Sequence, residues 1–207
     1  MVWVIRFAVL VVVTGWISDV GAAGEDRETA LLEMVKGRDQ AIQDIVRSET
    51  KGETEAERAQ LKAIVGELFD FERFAQRSLG RYWAERTAAE REEFVGLNRR
   101  LIEKNYGDPK LYSKAEKIDY TGVEIDGTEA VVRTEVHYKS EVSAIDYQLH
   151  LVDGKWLIFD MVIDDLSVAK SNRSQFRKEI RKSSYEGLVQ KLRQKLEEDA
   201  NEGKGGA

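Results

Sequence analysis

Few side chains in this sequence are of the types that carry out catalysis or bind metals. The two histidines, His137 and His150, lie in segments where apolar and polar residues alternate, at positions predicted to point away from the core. A zinc site needs three or four converging ligands, and the chain has no cysteine to help supply them. It also lacks the G-x-S-x-G motif of a serine hydrolase and a glycine-rich phosphate-binding loop. The sequence therefore predicts no enzymatic activity, no metal and no cofactor.

The acidic residues leave one enzymatic alternative open. An enzyme built on a cone-shaped α+β fold needs an acid or a base inside the cone, and Asp146 and Asp160 are the acids among the apolar strands. The alternation directs Asp146 outward, so Asp160 is the candidate for a buried acid, either catalytic or hydrogen-bonded within the structure. The pair Asp164-Asp165 is compatible with calcium binding, but neighbouring strand residues point in opposite directions, which favours a solvated pair at a turn.

Large apolar side chains are abundant in two parts of the chain. One group is crowded into residues 69–83: Phe69, Phe71, Phe74, Leu79, Tyr82 and Trp83. The other group shares one face of the predicted strands: Tyr120, Val132, Val136, Tyr147, Leu149 and either Trp156 or Phe159. If the two layers close completely, they form an ordinary hydrophobic core. If they stay apart, they leave a slot for an apolar ligand. The residues alone favour the closed core.

Helices are predicted before a set of strands. Capping boxes at Thr54 with Glu57 and at Thr87 with Glu90 mark two helix starts, and apolar residues at helical spacing predict a helix over 26–48. From residue 115 the period changes to two. Strands are predicted over 115–125, 130–138, 145–151 and 156–163, and the dipeptides Asp126-Gly127 and Asp153-Gly154 are typical of tight hairpins.

The order of the elements predicts an α+β fold. After the last strand, Asn172 followed by Gln175 predicts a new helix start, and a final helix places Leu188, Leu192 and Leu196 on one face. Helices, a four-stranded antiparallel meander and then C-terminal helices give one curved sheet with helices packed on one face. No internal repeat or interdomain linker interrupts this pattern, so a single domain is expected.

Length, charge and the ends of the chain narrow the class of protein. A length of 207 residues with 42% apolar content suits one domain, and a net charge of -6 argues against a general nucleic-acid binder. Arg6, the apolar run over 7–17 and the small residues that follow it predict a signal peptide over 1–22, cleaved after Ala22. The expected domain is then 23–198, followed by a disordered tail over 199–207.

Three blocks of the sequence are similar to a known family. They read FDFERFAQRSLGRYW over 69–83, TAAEREEFVGLNRRLIEKNYG over 87–107 and IFDMVIDDLSVAKSNRSQFRKEIRKSSYEGL over 158–188. These blocks resemble the MlaC family, also called the toluene-tolerance auxiliary family, whose members are periplasmic carriers of phospholipid in Gram-negative bacteria. The resemblance extends roughly over 33–192. It implies a cystatin-like, nuclear-transport-factor-like cone with a deep slot between sheet and helices.

The resemblance also implies a function and partners. The protein would be a periplasmic shuttle that carries a phospholipid as cargo between the outer and inner membranes and so maintains lipid asymmetry. Its partners would be an outer-membrane lipoprotein complex and the lipid-binding domain of an inner-membrane ABC transporter, with transient contact to the membrane surface. A diffusing shuttle is expected to be a monomer. The alternative is a periplasmic chaperone or scaffold without bound lipid.

The residues expected to contact the lipid follow from the slot that the resemblance implies. The predicted acyl-chain contacts are Phe74, Leu79, Trp83, Phe94, Leu101, Tyr120, Val132, Val136, Tyr147, Leu149 and Phe159. Arg173 is the predicted partner of the headgroup phosphate, because the segment SNRSQF matches a family segment similar to NYRSQF. An ordinary salt bridge at a helix start is the alternative for Arg173. The sequence departs from the family at Asp164-Asp165, where the family pattern has a glycine.

Overall fold

Helices form the first half of the chain, an antiparallel sheet follows, and two helices end it. The computed structural model describes residues 19–50 and 54–202. The helices are α1 (Asp19–Val46), α2 (Glu55–Leu68), α3 (Phe71–Leu79), α4 (Ala88–Tyr106), α5 (Pro109–Tyr112), α6 (Val168–Lys182) and α7 (Tyr185–Glu202), with a 3-10 turn at Gly80–Trp83. The strands are β1 (Lys117–Asp126), β2 (Glu129–His137), β3 (Val142–Val152), β4 (Lys155–Ile163) and β5 (Leu166–Ser167).

The strands form one antiparallel sheet in the order β1-β2-β3-β4-β5. The predicted α+β class is confirmed, but the prediction of four strands missed β5, a two-residue strand that pairs with the end of β4. Both predicted hairpins are present. Gly127 has a φ of 58°, and Asp153 and Gly154 have φ values of 48° and 80°, the left-handed values that tight hairpin turns require.

The two faces of the sheet differ in polarity, as the alternation predicts. On the inner face, Val132, Leu149 and Met161 are buried against α1, α2, α3 and α4. On the outer face, Arg133 forms salt bridges with Glu124 and with Asp146 at 3.0 Å and 3.9 Å. Asp146 therefore faces outward, as predicted.

A second hydrophobic cluster lies among the helices. It joins α3, the 3-10 turn, α4, α6 and α7 through Leu79, Trp83, Phe94, Phe176 and Leu188. The Phe94 ring is fully buried, and its centroid lies 5.7 Å from that of Phe176, edge to face, and 6.2 Å from that of Tyr185. Such contacts add to the free energy of simple area burial. This helical cluster is packed without involving the sheet.

Helix α3 connects the two clusters. Phe71 and Phe74 pack with the sheet residues, whereas Leu79 packs with the helical cluster. The helix begins at the edge of β4, where the Asp70 backbone N–H donates to the carbonyl of Ile158 at 2.9 Å. The Asp70 carboxylate caps the helix by accepting from the Arg73 backbone N–H at 2.8 Å. Both bonds position α3 against the sheet.

A buried carboxylate joins β4 to α3 and α6. Asp160 has no exposed surface. One of its oxygens accepts from the backbone N–H groups of Met161 and Ala169 at 2.9 and 3.0 Å, and the other accepts from the Ser167 hydroxyl at 2.6 Å and lies 3.5 Å from the Arg77 guanidinium. Asp160 is therefore the hydrogen-bonded buried acid that was one of its two predicted roles.

The predicted start of α6 at Asn172 is wrong. The helix begins at Val168, because the Ser167 hydroxyl accepts from the Lys170 backbone N–H at 3.0 Å and caps it. The same hydroxyl donates to Asp160, a long-range partner that the local sequence pattern does not reveal. The helix gains its first turn from this contact.

The two ends of the chain are described in part. The predicted signal peptide over 1–22 lies outside the described residues except for Asp19–Ala22, which belong to the first turn of α1. Helix α7 continues to Glu202, into the segment predicted as a disordered tail, and 203–207 lie outside the described residues. Over the part of the chain that is described, no helix has the length and apolar character needed to cross a membrane.

Replacing Asp160 with alanine should lower the free energy of unfolding by roughly 3–5 kcal/mol, because buried donors lose their acceptor. Urea unfolding followed by circular dichroism measures the change. Glu197 is exposed on α7, and Glu197→Ala is the matched control, with an expected change under about 0.5 kcal/mol. A loss below about 1 kcal/mol for Asp160→Ala would contradict the role of this carboxylate.

Candidate functional site

An apolar cavity lies between the inner face of the sheet and helices α1 and α2. Its volume is about 210 Å³. The sheet contributes Ile118, Val136, Ile145, Tyr147, Leu149 and Ile163. The helices contribute Met34, Val35, Ile42, Val65, Leu68 and Tyr112. Small-molecule pockets usually measure roughly 300–1,000 Å³, so this cavity lies somewhat below that range and can hold part of an extended apolar ligand.

The periodicities of the sequence explain why these side chains meet. Val35 and Ile42 are seven residues apart on α1 and therefore share one face of the helix. On β3, Ile145, Tyr147 and Leu149 alternate with outward residues, so all three point to the same side of the sheet. Helix α1 covers that side and leaves the cavity between the two layers.

Polar groups are few on the cavity wall. The Tyr120 hydroxyl, beside the cavity, donates to the Asp39 carboxylate at 2.6 Å. Burial raises the pKa of Asp39 above its usual value of 3.8, and the hydrogen bond from Tyr120 only partly opposes this shift. Gln43 lines the same wall, and its buried amide oxygen has no hydrogen-bond partner among the described residues. Arg38 also lines the cavity and is paired with Glu67 at 3.2 Å.

Three of the predicted lipid-contacting residues line the cavity. They are Val136, Tyr147 and Leu149, on β2 and β3. Val132 and Phe74 pack in the cluster next to the cavity but do not line it, and the Tyr120 ring lies at its outer edge between α1 and β1. These positions agree with a slot against the sheet. Lipid contact itself stays a prediction.

The remaining predicted residues lie away from the cavity. Leu79, Trp83, Phe94 and Leu101 belong to the helical cluster or pack against it. Phe159 is buried beneath two guanidinium groups, with Arg73 and Arg77 at 4.2 and 4.9 Å from its ring centroid. The sequence predicts that these apolar side chains are buried, but the fold has two hydrophobic clusters. Helical spacing does not show which of the two clusters a buried side chain joins.

Arg173 also lies away from the cavity. Its side chain lies against Gly80, at the C-terminal end of α3, where a β-carbon added to the glycine would come within 2.7 Å of the Arg173 Cδ. Gly80 has a φ of 60°, so both its conformation and its contact with Arg173 require a glycine. Arg173 thus covers the end of a helix, and the structure does not place it at the mouth of the cavity.

Helix α1 supplies several of the wall residues that the site prediction missed, and the strands supply others, among them Ile118, Ile145 and Ile163. Met34, Val35 and Ile42 line the cavity from α1. The helical spacing of Val35 and Ile42 was visible in the sequence. It did not indicate a site, because the aromatic-rich segment 69–83 offered a larger set of apolar side chains.

The prediction of an exposed His150 is wrong. It is 9% exposed, because α3 covers this end of the outer face. Its Nδ1 lies 2.6 Å from the Arg73 guanidinium and its Nε2 lies 2.8 Å from the Asp70 carboxylate. A guanidinium only donates, so Nδ1 must accept and the proton must reside on Nε2. Arg73 also pairs with Glu129. The histidine thus connects α3 to the sheet.

No grouping of acidic or histidine side chains suitable for a metal ion occurs among the described residues. Asp164 and Asp165, the predicted turn-associated pair, have φ values of 47° and 67°, and the Asp164 carboxylate accepts from the backbone N–H of Ala144 at 3.0 Å. Aspartate tolerates this left-handed conformation better than most residues. The turn therefore has the left-handed backbone conformation that favours glycine, although aspartates occupy these positions.

Comparisons with known proteins match most of the chain. The family model described as MlaC protein matches residues 37–194. No curated protein sequence matches. A solved structure of the phospholipid-binding protein from Ralstonia solanacearum, in complex with a phospholipid, is similar to this chain with a TM-score of 0.67 and 21% sequence identity, over 84% of this chain and 98% of that chain. At this level of identity the likeness supports the fold.

Replacing Asp39 with asparagine should make the stability of the delipidated protein less dependent on pH. The folded-state pKa of Asp39 is raised, so its contribution to stability is complete below pH 3.8 and is lost as the pH rises through the folded-state value. The asparagine side chain keeps an oxygen that accepts from Tyr120 and carries no charge. Relative to the wild type, the variant should therefore gain free energy of unfolding from mildly acidic to neutral pH.

Urea unfolding of both proteins across this pH range measures the effect. Asp44→Asn, on the exposed side of α1, is the control and should follow the wild-type pH profile. A difference between Asp39→Asn and the wild type that stays constant with pH would show that the Asp39 carboxyl is not desolvated.

Proposed function

This chain belongs to the MlaC family, and we propose that it binds a phospholipid with the acyl tails inside the cavity between α1, α2 and the sheet. The observation that carries the proposal is the cavity itself. Its walls are mostly aliphatic and aromatic, and it is partly open to solvent. The phospholipid bound to the similar protein from Ralstonia solanacearum supports the same cargo here.

The energetics favour a carrier for acyl chains. Each methylene group transferred from water to an apolar environment gains about 0.8 kcal/mol. A two-tailed lipid with roughly thirty methylenes would therefore lose on the order of 24 kcal/mol in water. A protein cavity and a bilayer both provide an apolar environment, so exchange between them can be nearly balanced while escape through water is blocked.

The wider role in this proposal is transport. The protein would carry a phospholipid across the periplasm between an outer-membrane lipoprotein complex and the lipid-binding domain of an inner-membrane ABC transporter, and would thereby help to maintain lipid asymmetry. Such a carrier needs no covalent chemistry. The few polar groups on the cavity wall are consistent with this, since Asp39 is hydrogen-bonded to Tyr120 and Arg38 is paired with Glu67.

Mass spectrometry of organic extracts tests the proposal directly. The protein, purified from a bacterial envelope without detergent, should release diacyl phospholipid at about one molecule per chain, the stoichiometry expected of a single apolar cavity. Protein that carries no lipid, and that takes up none from phospholipid vesicles, would overturn the proposal. Suppression of aggregation by such lipid-free protein would instead support the chaperone alternative.

Filling the cavity should release the lipid. Ser143 and Ala144 are adjacent on β3, but Ser143 lines the cavity whereas Ala144 is exposed on the outer face. An indole at position 143 displaces part of an acyl chain. Loss of contact with only two methylenes costs about 1.6 kcal/mol. Ser143→Trp should therefore retain at least about tenfold less lipid than the wild type.

Ala144→Trp is the matched control and should retain lipid at the wild-type level. Lipid content is measured on protein whose fold has been verified by circular dichroism and urea unfolding. Equal lipid content in the two tryptophan variants would place the tails outside this cavity.

A further inference from the structure

The cavity meets polar side chains at three places. At one of them Arg38, which pairs with Glu67 at 3.2 Å, lines the cavity wall but neither of the two adjoining recesses. At the other two, the cavity shares wall residues with recesses that open to solvent. The two recesses differ in the sign of their net charge. This difference decides which recess attracts the negatively charged headgroup of a bound phospholipid.

The first recess, here called the basic recess, lies between α1 and β1. It shares Asp39, Gln43, Ala115 and Ile118 with the cavity, so the two spaces adjoin. Its cations are Lys36, Arg47 and Lys117, and its one carboxylate is Asp39.

The three cations of the basic recess are accessible to a ligand. The Lys36 ammonium lies 5.7 Å from the centre of the Tyr120 ring and 2.9 Å from Glu33, and Lys117 pairs with Asp119 at 2.7 Å. Arg47 is exposed, and none of the described residues forms a salt bridge with it. Both lysine pairs are partly exposed, so they are individually weak and can be exchanged for a phosphate.

The second recess, here called the acidic recess, lies beside the turn between β2 and β3. It shares only Ala115 and Tyr138 with the cavity. Its charged residues are Asp108, Glu116 and Glu141 against Lys114 and Lys139. An anion placed here would meet more negative than positive charge.

We propose that the basic recess binds the phosphate of the lipid headgroup while the acyl tails occupy the adjoining cavity. This inference rests on the proposed function and assigns the ligand class as diacyl lipids with a phosphodiester. Lys36, Arg47 and Lys117 attract the phosphate, and a carboxylate-rich opening on the other side disfavours it. Arg173, the residue predicted from the sequence, lines neither recess.

Gln43 marks the boundary between the apolar and the charged parts of the site. Its side chain lines both the cavity and the basic recess, and its buried amide oxygen lacks a partner among the described residues. A buried amide without a partner is costly. The ester carbonyls of a lipid lie between its tails and its phosphate, where the amide N–H group of Gln43 can donate to them, whereas the amide oxygen needs a donor such as water.

The test compares two lipids that differ only in the headgroup. Phosphatidylglycerol and diacylglycerol, each with the same pyrene-labelled acyl chain, are titrated into purified, delipidated protein. The wild type should bind phosphatidylglycerol more tightly, and added salt should reduce this preference, because salt screens exposed charges. The variant K36Q/R47Q/K117Q should lose about tenfold in affinity for phosphatidylglycerol and less than about twofold for diacylglycerol.

The variant K114Q/K139Q removes lysines from the acidic recess and is the matched control. It should change either affinity by less than about twofold. An unchanged affinity of K36Q/R47Q/K117Q for phosphatidylglycerol, an equal loss for both lipids, or a larger loss in K114Q/K139Q overturns this inference and leaves the proposed function standing. A wild type that binds neither lipid overturns both.

Discussion

The buried carboxylate of Asp160 is the interaction on which the arrangement of this fold depends. A charged group without solvent access is tolerated only when its lone pairs are satisfied, and Asp160 meets that condition with donors from β4, β5, the first turn of α6 and α3. Its bonds therefore fix the edge of the sheet relative to the helices. Met161, the next residue, lines the cavity from the same strand. Hydrogen bonds outside the cavity thus help to position one of its walls, together with the packing of Met161 in the hydrophobic core.

Support from outside the cavity explains how an apolar space can remain open. The helical cluster around Phe94 holds α3, α4, α6 and α7 together without the sheet. Empty apolar volume destabilises a protein by roughly 20–25 cal/mol per Å³ when its walls cannot collapse. The cavity therefore carries a cost that an apolar occupant would remove. On the proposed function, binding of a lipid stabilises the fold through the same surface that retains the lipid.

The sequence predicted local features well and long-range choices poorly. The capping boxes at Thr54 and Thr87 and both Asp-Gly hairpins depend on residues close in the chain, and all are present. The start of α6 depends on Asp160, and the burial of His150 depends on α3, so neither could be read from local patterns. The same reason explains the candidate site. Periodicity predicts which face of a helix is buried, but it does not show which hydrophobic cluster that face joins. Phe94 and Leu79 belong to the helical cluster and not to the cluster beside the proposed lipid cavity.

On the proposed function, the division between an apolar cavity and a charged rim separates two tasks of a carrier. Retention scales with buried apolar area and depends little on the headgroup, since most of the cavity wall is apolar. Selection among lipid headgroups then depends on the few exposed charges at the opening. Their interactions with a phosphate are weak, are screened by salt and can be replaced by interactions with other anions. A headgroup held in this way can be displaced by an anionic surface without disturbing the tails. If the tails of the proposed cargo gain similar free energy in the cavity and in a bilayer, the direction of transfer is set by whatever engages that rim.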